Sequence, residues 1–171
     1  HVGSCEHEVD TMELCPAVAN FDEDPALEIV TVSGCQSIAI FDLEVPQRAV
    51  STIRTWDGQL VASPVIGDLD QDGWNEMIVV STGNDADSRG GVYVMGHQGD
   101  IWPGFPVLQE EHFDAAPALS DLDGDGDLEI IANSVSSRRI HAIHHHGFPV
   151  DGWPVGPIQD GHVKTTPLVA D

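Results

Sequence analysis

Pro117-Ala-Leu-Ser-Asp121-Leu-Asp123-Gly-Asp125-Gly-Asp127-Leu-Glu129 sets a carboxylate at every second residue across a glycine-bearing turn. Alternate oxygen-bearing side chains on a tight loop converge on one point. Asp121, Asp123, Asp125 and Glu129, with the backbone carbonyl of Asp127, therefore make a ligand set for one hard cation. Calcium suits such a set because it accepts six to eight oxygens in flexible geometry, whereas magnesium demands a tighter octahedron and keeps its waters. Gly126 gives the backbone the left-handed freedom that a loop wrapped around an ion needs.

The same register occurs twice more upstream. Pro64-Val-Ile-Gly-Asp68-Leu-Asp70-Gln-Asp72-Gly-Trp74-Asn-Glu76 offers Asp68, Asp70, Asp72, the carbonyl of Trp74 and Glu76. Pro16-Ala-Val-Ala-Asn20-Phe-Asp22-Glu-Asp24-Pro-Ala26-Leu-Glu28 offers Asn20, Asp22, Asp24, the carbonyl of Ala26 and Glu28. This first copy is degenerate: Asn20 replaces the leading Asp and removes a charge, and Pro25 fixes φ where the other copies have a free glycine. It is expected to bind more weakly or to keep the loop for structure alone. A fourth copy begins at Pro167-Leu-Val-Ala-Asp171. The opening prolines recur about every 50 residues, a period found in propeller blades and related β-arrays. Solvated Asp-Gly turns are common in hairpins, but three copies in one register between similar strands favour the ion-binding reading.

Between the acidic loops lie short runs rich in Val and Ile, bounded by Gly, Asp and Pro, which read as strands with no room for a helical stripe. The second unit predicts strands over 63–67, 76–81, 91–95 and 105–108, and the third over 116–120, 129–133, 139–144 and 153–155. Four short antiparallel strands per unit make a blade. The expected fold is all-β, with tandem four-stranded blades: repeat one over 16–63, repeat two over 64–116, repeat three over 117–166, and a fourth opening at 167. Trp102-Pro-Gly-Phe105-Pro and Phe148-Pro-Val-Asp-Gly-Trp153-Pro close successive units, and their aromatics are expected to pack between neighbouring sheets.

Composition narrows the function. The chain has 171 residues, 41% hydrophobic and 20% charged, which is the balance of a folded domain. Lys plus Arg number 6 against 29 Asp plus Glu, giving a formal charge of −23. Such a polyanion is repelled by nucleic acid and by anionic membrane surfaces, and favours metal ions as partners. No apolar run approaches a membrane span, so no membrane insertion is expected. The chain opens at His1 and not Met, which points to something upstream: a removed signal peptide, an earlier part of a longer protein, or an artificial boundary. Cys5, Cys15 and Cys35 fall early in the chain. One disulfide, Cys5 to Cys15 or Cys15 to Cys35, fits an oxidising compartment, and three buried small side chains fit equally.

The units resemble the FG-GAP or VCBS repeats of integrin alpha-subunit propellers and secreted bacterial proteins. The resemblance runs from Pro16 to Asp171 and is carried by D-x-D-x-D-G-x-x-E in strand context. It implies β-propeller blades, calcium in the loop between the first two strands of each, and an extracellular or cell-surface location. Propellers close with four or more blades, so three units and a start are not expected to close a ring alone. Further blades of the same protein, or other chains in a head-to-tail fibre, would complete the end sheets. The architecture itself serves many activities.

His141, His144, His145 and His146 form the other metal-like cluster. On a strand His144 and His146 share a face and His145 points away. No Cys or carboxylate stands at a matching local spacing, so the cluster reads as a polar surface. No nucleophile motif and no phosphate loop occurs. The chain is expected to be a noncatalytic, extracellular, calcium-binding β-repeat module with a structural or adhesive role and carbohydrate as a further candidate partner. The alternative is a propeller fragment of a secreted polysaccharide-degrading enzyme, whose carboxylate pair would assemble from distant strands.

Overall fold

Glu76-Met-Ile-Val-Val80 and Gly91-Val-Tyr-Val-Met95 are rich in residues whose branched or aromatic side chains favour extended backbone. In the computed structural model, which describes residues 14–21, 24–33, 37–42, 49–54, 58–83, 89–97, 99–159 and 163–170, they are the two central strands of the molecule. All regular structure among these residues is β, in three antiparallel sheets, none of them closed. No helix among them is long and apolar enough to cross a membrane.

The first sheet runs β1 (Ala17–Ala19), β2 (Glu28–Ser33), β3 (Ser37–Asp42) and β4 (Ala49–Arg54), in that spatial order. The second holds β5 (Gln59–Leu60), β6 (Val65–Gly67), β7 (Glu76–Thr82), β8 (Gly90–Met95) and β9 (Val107–Gln109). Here β5 and β6 both pair with β7, at its far and near ends, followed by β8 and β9. The third holds β10 (Ala118–Ser120), β11 (Glu129–Ser134) and β12 (Arg139–Ile143). Two isolated bridges, Ile140 to Val155 and Ile143 to Pro149, bring the following segment beside β12. Phe113 likewise bridges Ser134, as Leu60 pairs with Ser81 one sheet earlier.

Side-chain alternation along the central strands explains the stacking. Met77 and Val79, with Tyr93 and Met95, join Phe21, Val30, Val32, Ile38 and Ile40 of the first sheet in one core. Ile78 and Val80, with Val92 and Val94, join Phe113, Ile130, Ala132 and Ile143 on the opposite side. The second sheet is thus apolar on both faces, which is why its strands read as unbroken hydrophobic runs. Each of these aliphatic side chains contributes roughly 1.5–3 kcal/mol by leaving water.

Polar ties reinforce the stack. Asn75 Nδ2 donates to the Asn20 carbonyl at 2.8 Å, and Leu128 N donates to the Leu69 carbonyl at 2.8 Å. Each acidic loop is therefore bonded to the one before it, and all three lie along one edge. Glu111, on the passage from second sheet to third, places Oε2 2.7 Å from His141 Nε2, and its backbone carbonyl accepts from Gly90 N at 2.9 Å. A Cβ at Gly90 would stand 2.3 Å from that carbonyl oxygen, so only glycine permits the approach. Asn133 Nδ2 donates to the Thr165 carbonyl at 2.6 Å, tying that residue to the third sheet.

The aromatic expectations divide. Phe105 is buried and Trp102 packs against the core between second and third sheets, whereas Phe148 is 69% exposed with its ring against His146. Cys15 is an exposed free thiol, and Cys5 and Cys35 lie outside the described residues.

Candidate metal centre

The connections β1 to β2, β6 to β7 and β10 to β11 carry the acidic motif. Its shape comes from side chains folding back on their own backbone. In the second loop Asp68 Oδ2 accepts from Gly73 N at 2.9 Å, Asp70 Oδ1 from Asp72 N at 3.2 Å, and Asp72 Oδ1 from Trp74 N at 2.8 Å. The third loop repeats this. Asp121 accepts from Gly124 N and Gly126 N at 2.6 and 3.2 Å, Asp123 from Asp125 N at 3.2 Å, and Asp125 from Asp127 N at 3.0 Å. The winding requires left-handed backbone at Gly73 and Gly126, with φ of 96° and 105°. Gln71 and Gly124 also take positive φ, at 55° and 80°, so each loop has two such residues at matching places.

A buried glutamate closes each loop from the first residue of the next strand. Glu76 Oε2 accepts from Leu69 N at 2.9 Å, Glu129 Oε2 from Leu122 N at 2.7 Å, and Glu28 Oε2 from Phe21 N at 2.5 Å. All three carboxylates are at most 1% exposed. In the second loop the other oxygen, Glu76 Oε1, has no hydrogen-bond partner, nor has the buried Asp68 Oδ1. Carboxylate oxygens of Asp68, Asp70 and Glu76 lie within 4.8 Å of one another. Two unit charges at that separation repel by roughly 3 kcal/mol at an effective dielectric of about 20. Burial, and then Asp70, Asp72 and Asp68, push the Glu76 carboxyl up to about 7, against the lowering effect of the Leu69 amide. A cation would supply the missing partner for both orphaned oxygens, and an all-oxygen set fits calcium.

In the third loop Asp121, Asp123 and Asp125 come within 4.8 Å of one another on the exposed side, and Asp123 also meets Glu129 and His144 within that span. Asp72 lies outside the convergent group of the second loop, with one oxygen on the Trp74 amide. Asp127 turns its carboxylate to His145, whose Nδ1 is 2.9 Å from Asp127 Oδ2 but off the line of a hydrogen bond. Trp74 and Ala26, whose carbonyls the motif offers as ligands, donate their N–H groups to Asp72 and Asp24.

The first loop keeps the outline with different bonds. Asn20 Nδ2 donates to the Asp24 carbonyl at 2.6 Å, so its amide closes the turn. Ala26 N donates to Asp24 Oδ1 at 2.7 Å. Asp22 lies outside the described residues. No convergent metal-ligating group occurs among the described residues of this loop.

The histidines have carboxylate partners after all. His144 Nδ1 is 3.0 Å from Glu129 Oε1 and His141 Nε2 is 2.7 Å from Glu111 Oε2. Glu129 reaches His144 across the pairing of β11 and β12, and Glu111 reaches His141 from the connection after β9, which no local spacing reveals. His144, His145 and His146 lie beyond the end of β12, in a turn where the His146 ring stands 5.0 Å from both of the others, so the strand alternation expected of them does not apply. The Glu111 carboxyl is partly buried, which alone would raise its pKa. Hydroxyls of Ser137 and Ser134 together with His141 outweigh burial and hold it below the usual carboxylate range.

Fold and site together define an all-β chain of stacked antiparallel sheets with acidic loops along one edge. No family model matches it, and no curated protein matches it. Among solved structures it is similar to the V. cholerae biofilm matrix protein Bap1, with 18% sequence identity over 78% of this chain and a TM-score of 0.37. The chain spans 27% of that protein's length.

Proposed function

We propose that the chain is a noncatalytic, extracellular calcium-binding β-repeat module of the FG-GAP or VCBS propeller type, with a structural or adhesive role. The observation that carries the reading is Glu76. Its carboxylate is fully buried at the end of an acidic loop, with one oxygen on a backbone amide and the other unpartnered beside Asp68 and Asp70. Leaving a buried acceptor unsatisfied costs about 1–3 kcal/mol, which an ion would recover. The second and third loops would hold the ions; the first, closed by Asn20, would bind one more weakly or hold its shape without one.

Calcium in this reading is structural. It would neutralise carboxylates on loops already bonded one to the next, and so couple the sheets. The patterned carboxylates are assigned to ion binding and not to turnover, and the partners would be further repeats or other protein chains.

The test is thermal unfolding with excess calcium and with chelator, paired with sizing in both conditions. At a free calcium concentration of 100 times Kd, binding adds about 2.7 kcal/mol per site. A rise in midpoint of several degrees is expected. A midpoint that ignores calcium sinks the reading; a rise accompanied by ordered oligomers favours an assembly, and a rise in a monomer favours a part of a larger propeller.

A further inference from the structure

The third loop differs from the second at a position outside the loop itself. Met77 pairs with Met95 in the second sheet, and Gly96 follows; Ile130 pairs with Ile143 in the third, and His144 follows. In the first sheet Glu28 pairs with Asp42. The place beside the closing glutamate is thus held by Asp42, Gly96 and His144 in turn. Gly96 brings no donor to Glu76, whose Oε1 stays unpartnered, whereas His144 brings an imidazole nitrogen to within 3.0 Å of Glu129 Oε1.

We propose that the third loop is a mixed oxygen and nitrogen site that takes a borderline divalent cation of the zinc type, with Asp123, Glu129 and His144 as ligands. The inference rests on the reading that these loops hold cations and changes which cation one of them holds. Donor atoms of the three side chains lie within 4.8 Å of one another. Tetrahedral zinc, with bonds of about 2.0–2.2 Å to nitrogen and oxygen, needs ligands about 3.3–3.6 Å apart, so the pair Glu129 and His144, hydrogen-bonded at 3.0 Å, has only to part by a few tenths of an ångström to admit it. Calcium needs more ligands, all oxygen, at longer distance. Imidazole shifts preference toward zinc and its neighbours in the transition series.

Glu129 is 0% exposed with Oε2 committed to the Leu122 amide, so Oε1 is aimed at this corner. A cavity of about 450 Å³ opens over the site, lined by Leu122, Asp123, His144, Val150, Asp151 and Trp153. It leaves room for a water or another donor to complete the ion's coordination.

The experiment is equilibrium dialysis of the whole chain against zinc in the presence of excess calcium, repeated with His144→Ala, with His144→Gly, which copies the second sheet, and with a His145→Ala, His146→Ala double variant. Cobalt in place of zinc adds a visible spectrum that reports nitrogen ligation. The wild type should retain one zinc; both His144 variants should weaken retention at least roughly tenfold and lose the cobalt signature. The double variant should keep both. Equal retention by the wild type and the His144 variants, or loss in the double variant alone, overturns the inference. Calcium uptake by the His144→Ala protein, whose second loop is intact, is scored separately: its absence defeats the calcium reading and leaves the zinc result to stand by itself.

Discussion

Asp70 and Glu76 do different work in the same loop. Asp70 shapes the turn by accepting from the Asp72 amide and still reaches the convergent group, while Glu76 provides the buried wall. Replacing Asp70 with Ala should lower calcium affinity of the second loop at least roughly tenfold, by analogy with losses measured on removing metal-site partners. At saturating-range calcium that removes about 1.4 kcal/mol of the ion's stabilisation. Calorimetric titration of the variant checks it, and unchanged affinity would place the ion elsewhere. The acidic positions of the second and third loops were legible because alternate carboxylates across a glycine turn constrain one another. Those of the first were less so: Asn20 turns its amide onto the Asp24 carbonyl, a bond the motif alone does not suggest. His144 was illegible as a partner, since Glu129 reaches it only through the register of β11 and β12.

Two element-level contacts deserve quantitative tests. Glu111 joins the connection after β9 to the hairpin of β11 and β12 through His141, Ser134 and Ser137. Glu111→Gln should destabilise the protein by about 1–3 kcal/mol at neutral pH, the usual scale for hydrogen bonds to a charged group. Because the folded carboxyl titrates below its ordinary value of 4.5, its stabilisation is present above that value and lost as pH falls through the folded one. Melting curves of wild type and variant should therefore converge toward low pH; parallel curves would contradict the assignment. Met77 and Ile78 are adjacent in β7 yet face different cores. Ala at either should cost about 2–5 kcal/mol in denaturant unfolding. A negligible loss at one of them would mean that its interface does not stabilise the fold.

The strands that sequence revealed best are those with the most to bury. β7 and β11 begin at the expected glutamates, and β8 and β12 fall within a residue of expectation. β5 has two residues and no period to read, and only its pairing with β7 defines it. The strand expected over 153–155 is a single bridge at Val155, because the chain beside β12 follows an irregular path between Pro149 and Val155.

Over the whole molecule, a formal charge of −23 is concentrated partly on one edge where three acidic loops touch in sequence. Neutralising one loop relieves its neighbour, so cations at the second and third loops should act with a common sign on stability. Chelator should lower the melting point more than a comparable rise in sodium chloride does, since partners inside a coordination shell are screened little by salt. A larger effect of salt would make the loops ordinary surface charge.

The central sheet lies between two cores, and Val79, Val80, Val92 and Tyr93 are at most 1% exposed. Their amide hydrogens have no face from which deuterium can enter while either neighbour stays docked. Exchange at these four residues accordingly waits for the stack to open as a whole, whichever end loosens first. They serve as an internal clock, whose rate reports the lifetime of the entire assembly of sheets and not that of any single hairpin.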